Sequence, residues 1–221
     1  YEVVISHGHL DHANGAGEWE KVYMNHKDID LYRKHSSVEG RKDFLKQFVP
    51  DIDSYDEDLF IREHNTSFCD LEDGQIFELG NVDVVVYAAP GHTKGMMVFL
   101  VKQDRTVVLG DACGVFTLFC MPEATSLEEY VATLDKLKGL MPQYDRILRQ
   151  HGTCESPLSL VDEDIDIVRS ILDGTDDHQP YEFNGIKCFI ARRIDPETHG
   201  QRLDGKEGNI IYISEKIRKE S

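Results

Sequence analysis

Basic residues are scarce in this 221-residue chain, where 24 lysines and arginines stand against 41 aspartates and glutamates. The formal charge of −17 repels phosphate backbones and anionic lipids, so nucleic acids and membrane surfaces are disfavoured as partners. Long apolar runs are also missing, because no stretch reaches the roughly 18 residues of a membrane-spanning helix. The chain opens without a signal segment, and we therefore expect a cytoplasmic protein.

Paired cysteine motifs are absent as well. The five cysteines are odd in number, scattered and without a CxxC pair, which favours reduced thiols over a disulfide scaffold. Repeats, low-complexity tracts and Gly/Ser linkers are missing too, so nothing in the sequence marks a domain boundary. We expect one domain spanning residues 1–221.

Strand-like apolar runs alternate with helical patterns along the chain. Strands are predicted over residues 82–88, 96–101, 106–109, 146–148, 186–191 and 210–213. A capping box of Ser126 and Glu129 predicts a helix that ends near residues 139–142. A second apolar helix face runs from Val161 to Leu172 with Gly174 as its stop, and a third helix is suggested over residues 39–49. This mixture indicates a layered α/β or α+β domain.

The segment ISHGHLDHANGAG at residues 5–17 crowds ligand-type side chains behind an apolar strand. His7 and His9 are two positions apart, so in an extended chain their rings project to the same side and can bind one ion. Asp11 and His12 follow where the chain turns, and they could face a second ion. Imidazole binds zinc, iron and manganese, and a carboxylate can bridge two metals.

Three later predicted strands each end in one ligand-type residue beside a glycine. These residues are His92 in AAPGHTKG, Asp111 in GD and His151 in RQHG. Any one of them alone is better explained as a surface or packing residue. Their occurrence as a set, in this order after the first segment, predicts a metal centre.

At these residues the chain resembles the metallo-β-lactamase superfamily of hydrolases, whose pattern is HxHxDH followed by His, Asp and His. The resemblance covers most of the chain and implies an αββα sandwich. It implies two divalent metal ions: a first held by His7, His9 and His92, a second held by Asp11, His12 and His151, and Asp111 as the bridge between them. Asp11 and Asp111 are the implied catalytic residues, with a water or hydroxide between the ions as nucleophile.

The resemblance also narrows the chemistry. Asp111 stands where class B1 penicillin-destroying enzymes carry a cysteine, so the site is similar to that of the glyoxalase II and lactonase branches. The implied reaction is hydrolysis of a small ester, thioester or lactone, with zinc as the metal and iron or manganese also compatible. The alternatives left open are a phosphodiesterase or nuclease, an iron persulfide dioxygenase, and a metal-binding subunit without activity.

Only residues 1–6 precede the HxHxDH loop, whereas the superfamily's sandwich normally has several strands there. We therefore expect an N-terminally incomplete sandwich: either the chain is a fragment, or another chain completes its first sheet. A homodimer is one way to complete it.

Weaker signals lie outside this constellation. Basic residues gather in the segment 192–207, which is either a substrate-recognition flap or, given its interspersed acidic residues, a mixed-charge surface loop. Cys113 and Cys154 follow two predicted ligands and are predicted to be small buried packing residues. Solvated or packing roles are predicted for the remaining histidines: His26, His35, His64, His178 and His199.

Overall fold

The computed structural model describes residues 1–65, 67–151, 154–198 and 200–219, so His199 lies outside the described residues. Internal contacts divide the chain into two compact units, Tyr1–Glu72 and Asp73–Ser221. The expectation of a single domain over residues 1–221 stays a prediction. None of the helices within the described ranges is both long and apolar enough to cross a bilayer.

The first unit is built on a small parallel sheet. Its strands, in the order β1-β2-β3, are β1 (Val3–Val4), β2 (Val22–Met24) and β3 (Cys69–Asp70). Its helices are α1 (Leu10–Ala13), α2 (Ile29–Ser36) and α3 (Val38–Leu45). Single 3-10 turns lie at Asn14–Glu18, His26–Asp28, Ile52–Ser54 and Glu57–Leu59. Val22 and Met24 are buried together with Tyr32, so the sheet packs against α2.

The second unit contains two mixed sheets. The six-stranded sheet has the order β10-β9-β7-β6-β5-β4 and consists of β4 (Ile76–Glu78), β5 (Asp83–Ala88), β6 (Met97–Val101), β7 (Thr106–Gly110), β9 (Arg146–Arg149) and β10 (Glu155–Ser156). The four-stranded sheet has the order β11-β12-β13-β8 and consists of β8 (Thr117–Phe119), β11 (Gln179–Phe183), β12 (Ile186–Ile190) and β13 (Ile210–Tyr212). Only the pairs β7–β9 and β8–β13 are parallel among these described strands.

Two long helices, α4 (Leu127–Leu140) and α5 (Leu160–Leu172), contribute buried side chains to the core of the second unit. The predicted capping box starts α4, since the Ser126 hydroxyl accepts the Glu129 backbone N–H at 3.2 Å. After α5 the chain leaves through Gly174, whose φ of 67° lies in the left-handed region that favours glycine. Leu134 of α4 and Ile165 of α5 are buried in the core cluster of this unit, and each such side chain contributes roughly 1.5–3 kcal/mol by leaving water.

The mixed α/β class predicted from the sequence is confirmed, and its main elements lie where they were predicted. All six predicted strands are present, and their ends lie within one residue of the predicted ends. The third predicted helix corresponds to α3, which is shifted to earlier residues and ends at Leu45. Sequence reasoning missed α2, the two- and three-residue strands β2, β3, β4, β8 and β10, and the five-residue strand β11.

Candidate metal centre

The loop after β1 gathers four predicted ligands within the first unit. The ring centroid of His7 lies 4.8 Å from that of His9 and 4.1 Å from that of His12. Asp11 and His12 lie on α1, with His12 Nε2 3.5 Å from Asp11 Oδ2. The turn predicted after His9 is therefore one turn of helix, and it adds a carboxylate to a cluster of three imidazoles.

This cluster is enclosed on one side and open on the other. His7 is buried and the His12 side chain is only 4% exposed. His9 stacks on His35 of α2 at a centroid distance of 5.3 Å, which gives His35 the packing role predicted for it. The Asp11 carboxylate is 44% exposed and therefore open to solvent, whereas the imidazoles of His7 and His12 are shielded.

Gly8 allows the ligand loop to lie directly against the chain before α2. Its backbone N–H donates to Asp28 Oδ2 at 3.1 Å, and Asp28 is buried. A Cβ at this position would lie 2.6 Å from the Asp28 carbonyl oxygen and 3.0 Å from the Tyr32 backbone nitrogen. Both are backbone atoms, so a side chain here would push the loop away. Sequence reasoning missed Asp28, for which the only signal was the glycine between the two histidines.

Gly8→Ala is expected to destabilise the first unit by roughly 1–3 kcal/mol, because the added methyl overpacks a closed backbone contact. It should also weaken metal binding, since the loop that moves carries His7 and His9. Gly15→Ala is the matched control in the same segment, where a Cβ meets nothing within 4 Å. Urea unfolding and metal content measured for both variants test this. Equal stability of the two variants would contradict the close packing at position 8.

His92 follows β5 and is held in one orientation inside the second unit. The glycine before it is required, since a Cβ on Gly91 would lie 2.5 Å from the ring of Tyr130. His92 is buried, and its Nδ1 lies 3.2 Å from the Leu118 carbonyl oxygen. Because a carbonyl oxygen can only accept, Nδ1 donates and Nε2 keeps the lone pair that a metal requires.

Asp111 and His151 follow the neighbouring parallel strands β7 and β9. Asp111 Oδ2 lies 3.8 Å from His92 Nε2 and 3.3 Å from His151 Nε2. Donor atoms bound to one zinc ion at about 2.0–2.1 Å lie about 3.3 Å apart in a tetrahedral site. One carboxylate oxygen within 3.8 Å of two imidazole nitrogens therefore fits a ligand shared by two ions.

The seven predicted ligands thus form two clusters. One lies in the first unit (His7, His9, Asp11 and His12) and the other lies in the second unit (His92, Asp111 and His151). Imidazole nitrogens and carboxylate oxygens without thiolate form a donor set that suits zinc, iron or manganese. The residues fit divalent metal ions on this ground.

Buried polar groups of α4 and α5 support the loop that follows Asp111, and sequence reasoning missed them. The Tyr130 hydroxyl donates to the Ala112 carbonyl at 2.5 Å. Cys113 Sγ and the Thr117 hydroxyl donate to Asp164 Oδ2 at 3.0 and 3.4 Å. Burial raises the pKa of the Asp164 carboxyl to about 7 and that of the Cys113 thiol well above its ordinary value. Cys113 is buried as predicted.

Cys154 departs from the prediction made for it. It is exposed, and its φ of 63° places it in the left-handed region. It therefore does not serve as a buried packing residue.

Comparison with known proteins agrees with the motif. The family model described as the Metallo-beta-lactamase superfamily matches residues 2–144. A probable polyketide biosynthesis zinc-dependent hydrolase of Bacillus velezensis, BaeB, is 28% identical over 158 residues, which is 70% of this chain and 58% of that protein. The similarly named PksB of Bacillus subtilis is 24% identical over 163 residues, with the same two coverages. The chain thus spans 58% of the length of each of these curated relatives.

Solved structures agree on the fold. A di-iron-bound form of TTHA1623 superposes with a TM-score of 0.51 at 22% identity, covering 72% of this chain and 73% of that one. A metallo-beta-lactamase family protein of Thermus thermophilus gives a TM-score of 0.55 at 16% identity, covering 78% of this chain and 62% of that one. At these identities the likeness establishes a metallo-beta-lactamase fold.

Proposed function

The chain belongs to the Metallo-beta-lactamase superfamily, and from that premise we propose that it is a dinuclear metal-dependent hydrolase of a small ester, thioester or lactone. The observation that carries the proposal is the position of Asp111 Oδ2 between His92 Nε2 and His151 Nε2. The names of BaeB and PksB, both zinc-dependent hydrolases, support zinc as the metal. Asp111 in place of a cysteine supports the glyoxalase II and lactonase branches.

The proposed ligand sets are those that the resemblance to the family implies. His7, His9 and His92 would hold a first ion, Asp11, His12 and His151 would hold a second, and Asp111 would be a ligand of both. Divalent ions at these residues would lower the pKa of a water towards neutrality and polarise the substrate carbonyl. Two such ions outweigh the charge of two carboxylates, so the site would be locally positive within an acidic chain and would attract an anionic substrate.

The chain's own residues have distinct tasks in this proposal. Asp111 would supply its carboxylate to both ions. The Leu118 carbonyl keeps the His92 ring in the tautomer that presents Nε2. Asp11, with its exposed carboxylate, is placed to take up or release a proton beside the reacting carbonyl. We further propose a cytoplasmic protein that acts on a small molecule, with homodimerisation as its assembly.

Elemental analysis by mass spectrometry on the purified chain, never exposed to chelator, tests the metal content first. We expect two metal ions per chain, and hydrolysis of at least one ester, acyl thioester or lactone in a panel of each. Activity should disappear with chelator and return when zinc, manganese or iron is added back.

Each alternative function has its own signature in the same assays. Metal without turnover on any substrate would identify a metal-binding subunit. Oxygen consumption with a persulfide would identify a dioxygenase. Cleavage of phosphodiesters, with binding that weakens as salt rises, would identify a nuclease.

A further inference from the structure

Arg149 is a buried arginine at the end of β9, two positions before His151. Its side chain is 4% exposed, and its donors point in three directions. Nε donates to Ser156 Oγ at 2.5 Å, one terminal nitrogen donates to the His151 carbonyl oxygen at 2.6 Å, and the other donates to Glu207 Oε1 at 2.7 Å. A buried guanidinium is costly unless it is paired and hydrogen-bonded, so these three acceptors hold the planar group in one geometry.

The backbone at His151 needs such a contact more than that at the other histidine of the cluster. The His151 side chain is 57% exposed, whereas His92 is buried and its Nδ1 is bound by a carbonyl. Packing therefore orients His92, but it surrounds only part of the His151 ring. The position of the His151 imidazole opposite Asp111 depends accordingly on where its backbone lies, and Arg149 binds that backbone directly.

Glu207, the charged partner of this arginine, is itself held by α5. The backbone N–H groups of Glu207 and Gly208 donate to Glu163 Oε2 at 2.8 and 2.9 Å, and the Ser159 hydroxyl donates to Glu163 Oε1 at 2.7 Å. Burial raises the pKa of the Glu163 carboxyl, but these hydrogen bonds outweigh burial and lower it below its ordinary value. The Glu163 carboxylate of α5 thus holds the backbone at Glu207 and Gly208 in place.

We propose that Arg149 is a positioning residue for the metal ion bound by His151, and that Glu207 keeps the guanidinium in place. The inference rests on the proposed function, because it requires an ion at His151. It assigns the segment 192–207 a role other than that of a substrate flap. Through Glu207, this segment binds the guanidinium of Arg149.

Zinc titration against a chromophoric chelator tests the proposal by resolving the two dissociation constants of the full chain. Arg149→Met is expected to raise the dissociation constant of the zinc ion at His151 by roughly 10–100-fold, the range found for groups that orient metal ligands. The dissociation constant of the other zinc ion should change by less than about threefold. Arg149→Lys retains the charge without the planar fork of donors, so its loss should be intermediate.

Matched variants separate positioning from general stability. Glu207→Gln keeps an oxygen acceptor for the guanidinium and should bind zinc nearly as the wild type does, whereas Glu207→Ala should lose the same ion selectively. Arg146→Met removes an exposed arginine that pairs with Glu155 from the start of the same strand, and it should leave both constants unchanged. If Arg149→Met fails to fold, the two Glu207 variants carry the test.

The outcomes distinguish this inference from the function on which it rests. Selective loss of one ion in Arg149→Met and Glu207→Ala, with recovery in Glu207→Gln, would support it. A lower melting temperature with both constants unchanged, or equal weakening of both ions, would overturn the positioning role and leave the proposed function intact. A wild-type chain that binds no zinc would overturn both.

Discussion

Asp111→Ala is expected to lower kcat/KM for the hydrolysed substrate by at least about 10³-fold, a loss of about 4 kcal/mol in transition-state stabilisation. The reason is that one carboxylate oxygen of Asp111 lies within 3.8 Å of His92 Nε2 and within 3.3 Å of His151 Nε2. Its removal takes a ligand from both proposed ions and leaves neighbouring positive charges without compensation. Metal content should therefore fall together with activity, from two ions per chain to one or none.

A matched variant at the other end of the same strand controls for a general effect on β7. Asp104 is exposed in the turn before β7, and Asp104→Ala should keep both metal and activity. Asp111→Asn preserves the volume and one oxygen, so it tests whether charge as well as coordination is needed. Turnover and metal content of Asp111→Ala equal to those of the wild type would refute the bridging role.

The second large effect concerns the dependence of stability on pH. Asp164 is fully buried, and burial raises the pKa of its carboxyl from 3.8 to about 7. A pKa raised by folding stabilises the folded state fully below about pH 4, and this contribution disappears as pH rises through about 7. The lost contribution amounts to up to about 4 kcal/mol, since each unit of pKa shift corresponds to about 1.4 kcal/mol.

Asp164→Asn should remove this dependence, because the amide is neutral at every pH in the range. The variant can still accept hydrogen bonds from Cys113 and Thr117 through its carbonyl oxygen. We expect the unfolding free energy of the wild type to fall relative to that of the variant as pH rises from 4 to 8. Asp166→Asn removes an exposed carboxylate from the same helix. The unfolding free energy of this control should depend on pH as that of the wild type does. A constant difference for Asp164→Asn would show that the buried carboxyl does not titrate in this range.

Local pattern accounts for the parts of the fold that could be predicted. The strands β5, β6 and β7 are runs of apolar residues long enough to stand out, and α4 has both a capping box and an apolar face of helical period. The helix α2 was missed because it has only eight residues, with its apolar side chains Ile29, Leu31 and Tyr32 in the first half, which is too short a run to show a helical period. Strands of two or three residues carry too little periodicity to be recognised, and their pairing partners stabilise them.

The candidate ligands could also be predicted from the sequence, because they follow strands. Spacing within HxHxDH brings His7, His9 and His12 together through local geometry alone, and their ring distances agree with that expectation. The order of His92, Asp111 and His151 along the chain could suggest a shared site, but only the sheet brings the two imidazole nitrogens to 3.8 and 3.3 Å from Asp111 Oδ2. The parallel pairing of β7 with β9 places two of these ligands at the same edge.

What the sequence by itself determined was the class of fold and the family, and it also predicted a set of metal ligands. The groups that hold those ligands in place were decided only by the tertiary structure. Asp28 meets Gly8 across 20 positions, Asp164 meets Cys113 across 51, and Glu207 meets Arg149 across 58. No periodicity links such residues, because their distances are set by how helices pack on sheets. The chemistry could therefore be inferred from local motifs, whereas the support that orients it follows from long-range packing.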